Sequence, residues 1–394
     1  MKYDFDKIIS RKNTDCVKYD YRKGYFGTKD VLPMWVADMD FETPDFITNA
    51  LRNRTEHPIF GYSIKPDAYY ETQVNWMRKR HQWEIRKEWI VFCPGIVPAL
   101  NLCVTAFTRP GDKIIVQPPV YFPFFSAIKN NRRIQVDNPL KLRDGRYYFD
   151  LDDLIKKVDP KVKMIFLCNP QNPGGSVWTP EELTELAGIC IKNNILIVSD
   201  EIHSDLILKS FRHTPTASLS NEIAEHVITC MAPSKTFNLA GLATSSVFIS
   251  NKRLRNIFNR SIESVHIGMG NIFGIIASEA AYVHGEEWLS KLLDYINRNV
   301  ELVTEYCRNH IPNIKPMKPE ATYLVWLDCR DMGLDKKGLK KFMIEKARVG
   351  FNDGPTFGHG GEGFQRMNVG CPRSLVREAL HRIEKAANNL VPDQ

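Results

Sequence analysis

Short apolar runs rich in β-branched residues alternate with longer amphipathic stretches between about residues 90 and 250. These runs predict strands, and they lie at residues 90–93, 113–117, 164–168, 195–198, 227–230 and 246–249. The stretches between them predict helices, of which one begins after Thr179 with a capping threonine, a proline and two acids. This alternation favours an α/β fold in which a mostly parallel sheet is covered by helices.

The pattern changes toward the C-terminus. Residues 252–310 predict mainly helix, with a break near residues 284–285. Strand patterns at 322–327 and 365–369, a helix near 335–347 and a final helix from residue 373 then predict a small α+β domain. We expect an irregular N-terminal segment, 1–45, to pack against this small domain, 286–394, with a large domain over 46–285.

Composition narrows the class of protein. Of 394 residues, 43% are hydrophobic and 25% charged, as in ordinary globular proteins. The net charge of +7 is spread without a basic block, so we expect small ligands and no nucleic acid. Nine single cysteines without a CxxC pair favour the reducing cytoplasm, and the ten histidines show no metal-binding spacing. No apolar run reaches membrane-spanning length, so we expect a cytoplasmic protein without a membrane partner.

Polar residues follow three of the predicted strands. Asn172 lies shortly after the strand at 164–168, Asp200 closes the run at 195–200, and Lys235 follows the strand at 227–230. The carboxyl ends of parallel strands meet at one edge of a sheet, where ligands gather. A lysine can form a Schiff base with the aldehyde of pyridoxal 5'-phosphate, and an aspartate can pair with its protonated ring nitrogen. The alternative for Asp200 alone is a helix cap.

Further residues fit the same cofactor. Asn172 and His203 could hydrogen-bond its phenolic oxygen, although a plain turn and a core histidine are the alternatives. The amides of Ile96 and Val97 begin a helix after a strand, which suits a phosphate. Tyr121, past another strand, could stack on the ring.

One arginine suits the substrate. Arg366 lies in the predicted strand 365–369, and its guanidinium could bind the α-carboxylate of an amino acid at two points. The alternative is a surface ion pair. Amino acids are therefore the expected substrate class.

The chain resembles a fold-type I pyridoxal-phosphate enzyme of the class I/II aminotransferase superfamily. Within that group it resembles the MalY/PatB branch of cystathionine β-lyases, or cysteine-S-conjugate β-lyases, over essentially its whole length. The resemblance rests on Arg366 with residues 371–373 and on the segments MWVADMDF (34–41), FGYS (60–63), PGIVPAL (94–100), PPVYFPF (118–124), SDEIH (199–203) and PSKTFNLAG (233–241).

The resemblance implies an activity and a partner. It implies β-elimination from cystathionine or a related thioether, giving a thiol, pyruvate and ammonia, with Lys235 and Tyr121 as catalytic residues. It also implies a homodimer with active sites at the interface, because Tyr62 would reach the phosphate bound by the neighbouring subunit. An aminotransferase is the first alternative, and a non-catalytic regulatory protein of the same fold is the second.

The chain departs from the wider aminotransferase pattern near Lys235. It has Ala243 where many relatives carry a phosphate-binding arginine and Ala232 where they carry a serine. The phosphate must therefore rely on Ser234, the helix-start amides and Tyr62, or on Thr244 and Ser245. The MalY/PatB branch usually lacks this arginine too, which favours the lyase.

Overall fold

The computed structural model describes residues 3–389, which contain fifteen β-strands numbered in chain order. Their bounds are Leu32–Pro33 (β1), Ile90–Cys93 (β2), Lys113–Val116 (β3), Ile134–Asp137 (β4), Lys141–Arg143 (β5), Arg146–Tyr148 (β6), Val162–Cys168 (β7), Leu196–Asp200 (β8), Val227–Met231 (β9), Ser245–Phe248 (β10), Lys315–Met317 (β11), Leu324–Asp328 (β12), Val349–Gly350 (β13), Asn352–Asp353 (β14) and Phe364–Asn368 (β15).

The α-helices of the same residues are likewise numbered in chain order. Their bounds are Val17–Asp20 (α1), Arg22–Phe26 (α2), Asp45–Thr55 (α3), Asp67–His81 (α4), Ile96–Phe107 (α5), Pro123–Asn130 (α6), Leu151–Lys157 (α7), Pro180–Lys192 (α8), Asn221–Ala224 (α9), Pro233–Thr236 (α10), Lys252–Ser264 (α11), Ile272–His284 (α12), Glu286–His310 (α13), Lys336–Lys341 (α14) and Arg373–Ala387 (α15).

A seven-stranded sheet in the order β2-β10-β9-β8-β7-β3-β4 forms the centre of the molecule. Strands β9, β8, β7, β3 and β4 are parallel, whereas β10 is antiparallel to both of its neighbours. Alternate side chains of β7 enter two different cores: Ile165 and Leu167 face one, and Phe166 and Cys168 the other. Helices α5, α6 and α11 cover one face, and α8 is among the helices on the other. The predicted α/β class is confirmed, with a mixed sheet.

All six strands predicted over 90–250 form, as β2, β3, β7, β8, β9 and β10. Helix α8 begins with the predicted cap: Thr179 Oγ1 accepts a hydrogen bond from the amide of Glu182, whose carboxylate bonds back to the amide of Thr179. The edge strand β4 and the hairpin β5–β6 were missed; β4 is largely exposed and lacks a strong apolar pattern. The helical region also breaks at residues 265–271, besides the predicted break at Gly285.

A second sheet, in the order β11-β12-β15-β14, lies in the C-terminal part. It is antiparallel throughout, and α13 and α15 pack together beside it. The predicted domain limits at residues 45 and 285 stay a prediction. None of the helices within residues 3–389 is both long and apolar enough to cross a membrane.

The N-terminal segment crosses from the small sheet toward the large one. Strand β1 pairs in parallel with β13, and Asn368 Nδ2 donates to the carbonyls of Val36 (2.5 Å) and Asp38 (2.6 Å). On the other side, Asn238 Nδ2 donates to the carbonyl of Met39 at 2.9 Å. Residues 35–40, here called the strap, are therefore held from both directions.

Buried charges reinforce the strap. Arg11 forms two hydrogen bonds with the Asp38 carboxylate, at 2.7 and 2.9 Å, and a third with Asp40 at 2.7 Å. Lys18 is fully buried, and its Nζ donates to Asp40 Oδ2 at 2.8 Å. Two cations and two carboxylates thus neutralise one another, with Lys18 and Asp40 buried and Arg11 and Asp38 partly exposed, which fixes the strap where it passes the site described below.

Lys18→Met tests this buried pair. We expect the free energy of unfolding to fall by about 3 kcal/mol, because Asp40 keeps only Arg11 as a cationic partner. Urea unfolding followed by tryptophan fluorescence measures the change. Lys7→Met is the matched control, since Lys7 pairs with Glu42 at an exposed site where a loss below about 1 kcal/mol is expected. Equal effects of the two substitutions would contradict a structural role for Lys18.

Candidate active site

A cavity of about 370 Å³ opens beside the ends of β7, β8 and β9. Its wall combines the strap, the start of α5, the segment before α6, the loops after β7 and β8, the turn α10 and strand β15. Ten of the residues predicted from the sequence line it: Ile96, Val97, Tyr121, Asn172, Asp200, His203, Ser234, Lys235, Thr244 and Arg366. The ends of the parallel strands therefore bring Asn172, Asp200 and Lys235 into one cavity, to which β15 of the second sheet adds Arg366.

Asp200 ends the buried strand β8 and is only 3% exposed. Its Oδ1 accepts one hydrogen bond, from the amide of Ile202 at 3.2 Å. Burial raises the pKa of Asp200 from its ordinary value of 3.8 to about 7, against the smaller lowering effects of that amide and of the Lys235 charge. A cationic N–H group placed beside Asp200 would stabilise the ionised form of this buried acid.

Lys235 lies in α10, a single helical turn that begins with Pro233. Its Nζ donates to the carbonyl oxygen of Ala37 in the strap at 2.7 Å. Burial lowers the pKa of Lys235 to about 8 and outweighs the opposing effect of the nearby Asp38 carboxylate. The amine is therefore far closer to its neutral, nucleophilic form at pH 7–8 than an exposed lysine is.

His203 presents an unsatisfied buried atom. It is 3% exposed, and its Nδ1 has no hydrogen-bond partner among the described residues. Burial, with smaller effects from the charges of Lys235 and Arg366, lowers its pKa well below the usual value, so the ring is neutral. A neutral imidazole with a free nitrogen on a cavity wall is suited to exchange a hydrogen bond with a ligand.

Arg366, on β15, determines the orientation of Asn172. Its Nη1 donates to Asn172 Oδ1 at 2.9 Å, and because a guanidinium only donates, the facing atom must be the amide oxygen. The NH₂ group of Asn172 is then left to donate into the cavity. Burial lowers the pKa of Arg366 to about 10, and its Nε has no partner among the described residues.

The start of α5 forms the other end of the cavity. Its first amides, at Ile96 and Val97, have no partner inside the helix and carry the positive end of the helix dipole. Gly95 has φ +132°, which favours glycine, and its amide donates to Ser245 Oγ at 3.2 Å. The Ser245 hydroxyl also donates to the carbonyl of Cys93, so both of its hydrogen-bonding functions are in use. The buried Thr244 hydroxyl has no partner among the described residues and is therefore the better candidate for an anion ligand.

Of the two tyrosines predicted to bind the cofactor, Tyr121 lines the cavity and Tyr62 does not. Tyr121 is on the cavity wall, where burial raises its pKa to about 12 and so keeps the phenol protonated. Tyr62 is 96% exposed and is not on the wall of this cavity, so its predicted contact with a neighbouring subunit stays a prediction. Ser234 lies on the wall next to Lys235.

Sequence reasoning gave no site role to several wall residues. Trp35, Val36 and Ala37 come from the strap, and Asn352 Oδ1 accepts a hydrogen bond from Arg366 Nη2 at 2.5 Å. The strap lies within the segment 34–41, one of the segments on which the family resemblance rests, and that resemblance could have identified it as part of the site. Asn352 lies in a short strand without a recognisable motif, so nothing in the sequence pointed to it.

Comparison with known proteins agrees with this geometry. Residues 29–383 match the model of the family described as aminotransferase class I and II. The chain is 44% identical over 384 residues to cystathionine β-lyase PatB of Bacillus subtilis, covering 97% of this chain and 99% of the relative.

Two solved structures are also similar along their length. The crystal structure of cystalysin from Treponema denticola, which contains a pyridoxal 5'-phosphate cofactor, matches with a TM-score of 0.96 and 38% identity, covering 99% of this chain and 100% of that one. The pyridoxal-phosphate-bound C–S lyase from Staphylococcus hominis matches with a TM-score of 0.92 and 35% identity, covering 98% of each chain. This protein is therefore a member of the class I and II aminotransferase family, within which it is similar to cystathionine β-lyases.

Proposed function

We propose that this protein is a pyridoxal-phosphate-dependent carbon–sulfur β-lyase. It would cleave cystathionine or a related cysteine S-conjugate, with water, to a thiol, pyruvate and ammonia. The observation that carries the proposal is that Lys235 and Asp200 share one cavity, the lysine with a lowered pKa and the aspartate buried without a full cationic partner. The similarity to PatB and to the two lyase structures supports the reaction type.

The residues present fit the cofactor. Asp200 lacks a cation that a protonated ring nitrogen would supply, and His203 Nδ1 lacks the hydrogen bond that a phenolic oxygen would make. The amides that begin α5, with the Thr244 hydroxyl, fit a phosphate, and Tyr121 supplies a ring on the cavity wall. When bound, pyridoxal phosphate supplies an aldehyde that links to amines and a ring that accepts the electrons of a broken Cα bond.

The protein's own residues would orient the substrate and move one proton. Arg366 holds the α-carboxylate, and Asn172, fixed by Arg366, donates its amide N–H into the cavity. Lys235 Nζ removes the Cα proton, for which an amine with a pKa near 8 is a suitable base. A thiolate is then a good leaving group from Cβ, because ordinary thiols have pKa values of about 8.5.

An aminotransferase would use the same residues, and the family match supports that alternative. Such an enzyme would convert the cofactor to its amine form without releasing thiol or pyruvate. Ala243, in place of a phosphate-binding arginine, supports the lyase by the resemblance described above.

We also propose a cytoplasmic homodimer. The nine cysteines of the sequence are all free thiols, which suits a reducing compartment. Ile59, Phe60, Tyr62 and Ile64 expose 65%, 55%, 96% and 84% of their surfaces along one segment, and a second copy would cover them. In that dimer Tyr62 reaches the phosphate in the neighbouring subunit.

Purified protein mixed with cystathionine tests the reaction. We expect stoichiometric pyruvate and a free thiol, measured with lactate dehydrogenase and a thiol reagent, and amine-form cofactor without pyruvate would refute the lyase. Lys235→Ala should abolish turnover, a loss of at least about 10³-fold, together with the visible absorbance of lysine-linked cofactor. Lys315→Ala, at an exposed lysine paired with Asp331, is the matched control and should leave both unchanged.

Asp200→Asn tests the buried acid through pH. Because the folded pKa of about 7 exceeds the ordinary 3.8, the cofactor-free wild type loses stability as pH rises from about 4 to about 7. The variant lacks this loss, so at pH 8 it should be more stable than wild type by roughly 4 kcal/mol, with a difference below about 1 kcal/mol near pH 4. Adding pyridoxal phosphate should stabilise the wild type more than the variant, because Asn cannot pair with a charged ring nitrogen.

Urea unfolding at pH 4, 6 and 8, with and without pyridoxal phosphate, measures these differences. Asp159→Asn is the control, since Asp159 is a partly exposed carboxylate paired with Lys113 and its pKa is lowered. Parallel pH profiles for wild type and Asp200→Asn would contradict the raised pKa.

Mixed dimers test Tyr62. Tyr62→Ala should weaken cofactor binding, and Lys235→Ala should be inactive. Refolding the two variants together should restore about a quarter of wild-type activity, because half of the dimers are mixed and each has one intact site. No restoration, with dimers confirmed by light scattering, would place Tyr62 outside the neighbouring site.

A further inference from the structure

A buried carboxylate lies behind the active-site cavity without lining it. Asp205 is 4% exposed and follows Asp200 on the same segment, five residues further along the chain. Its Oδ1 accepts hydrogen bonds from Trp76 Nε1 at 3.0 Å and from His81 Nε2 at 2.9 Å. Its Oδ2 accepts one from Thr236 Oγ1 at 2.9 Å. A single side chain therefore joins helix α4, the loop after β8 and the turn that carries Lys235.

The donors keep this carboxylate ionised. Burial lowers the pKa of His81, more than its contact with Asp205 raises it, so the imidazole is neutral and donates its Nε2–H. Arg80 Nε lies 3.7 Å from Asp205 Oδ1, and its Nη2 donates to the Asp205 carbonyl at 2.9 Å. Although burial alone would raise the pKa of Asp205, the bonds from His81 and the charge of Arg80 lower it. Asp205 is thus a charged, fully satisfied anchor.

Thr236 links Asp205 to Lys235, because it bonds to the carboxylate and is next to the lysine in the chain. It is the last residue of α10, which has only four residues, and it is completely buried. A single helical turn does not hold its own geometry, because each ordered residue costs more conformational entropy than one internal hydrogen bond returns. The bond from Thr236 Oγ1 to Asp205 therefore fixes the direction in which the neighbouring Lys235 side chain leaves the turn.

We propose that Asp205 is a positioning residue that, through Thr236, holds Lys235 Nζ in the cavity at the place where it meets the Ala37 carbonyl. The inference rests on the proposed function of Lys235 in the lyase. Asp205 touches no reacting atom in this scheme; its effect reaches the chemistry only through the position of the amine.

A second buried carboxylate follows Asp200 directly in the chain. Glu201 is fully buried and accepts hydrogen bonds from Ser199 Oγ at 2.8 Å, the Thr216 amide at 3.0 Å and His213 Nε2 at 2.8 Å. The rings of His213 and His81 meet edge to face at 5.5 Å. The hydrogen-bonded networks around Asp205 and Glu201 are thus in contact through these two rings.

Thr236→Val and Thr236→Ser, made in the holoenzyme, test the proposal. Valine keeps the shape and removes the hydroxyl, whereas serine keeps the hydroxyl. We expect kcat for cystathionine cleavage to fall at least about tenfold in Thr236→Val, with KM changed less than about threefold because Arg366 and Asn172 are untouched. Thr236→Ser should recover most of kcat. Asp205→Asn should change kcat in the same direction as valine.

A spectroscopic readout separates positioning from a purely structural effect. The pH midpoint of the visible absorbance of lysine-linked cofactor should shift in Thr236→Val and stay at the wild-type value in Thr236→Ser. Borohydride reduction followed by mass spectrometry should fix the cofactor on Lys235 more slowly in Thr236→Val. A stability effect alone would lower the thermal midpoint of the variant without moving either readout.

Three results would overturn the proposal. Wild-type kcat and pH midpoint in Thr236→Val would show that Lys235 needs no such anchor. Equal impairment of Thr236→Val and Thr236→Ser would show that the hydroxyl is not the relevant group. Absence of lysine-linked absorbance in the wild-type protein would remove the proposed function and this inference with it, which distinguishes that failure from the other two.

Discussion

The arrangement of the site depends on one constraint, the burial of the Asp200 carboxylate at the end of β8. A carboxylate removed from water costs several kcal/mol unless a cation or several donors meet it, and here a single amide does so directly. Its pKa of about 7 expresses that cost. The fold tolerates this cost because Lys235, His203 and the start of α5 surround the same opening, where a cationic group of a ligand can pair with Asp200.

The N-terminal strap forms one wall of this opening. Its position depends on Arg11 and Lys18, which neutralise Asp38 and Asp40, and on Asn368 of the small sheet. Ala37 then presents its carbonyl to Lys235, and Tyr323 donates to the same oxygen at 3.0 Å. Lys235, the strap and Tyr323 therefore meet at the Ala37 carbonyl oxygen. A shift of any one of them would change the contacts of the other two.

The site has two layers with different physical functions. The inner layer has unsatisfied atoms, such as His203 Nδ1 and Arg366 Nε, which are left for ligands. The outer layer, with Asp205 and Glu201, has carboxylates whose donors are all in place. The several hydrogen bonds to each of these two carboxylates hold them rigidly behind the reactive groups, which keeps those groups ready to act without reorganisation.

The sequence by itself determined the strands that carry the site and most of the residues at their ends. Apolar runs and local caps such as Thr179 are short-range signals, and the parallel-sheet rule then places Asp200 and Lys235 at one edge. The sequence did not predict β4, because a strand of four residues with two apolar positions gives only a short alternating pattern.

Only the tertiary structure decided which distant atoms meet. The contact between Lys235 and Ala37 spans 198 residues, that between Arg366 and Asn172 spans 194, and Trp76 meets Asp205 across 129. No local periodicity encodes such contacts, because they arise from how sheets, helices and strap pack around two cores. Burial is likewise a property of the folded chain, and it sets the pKa values of Asp200 and Lys235 on which the proposed chemistry depends.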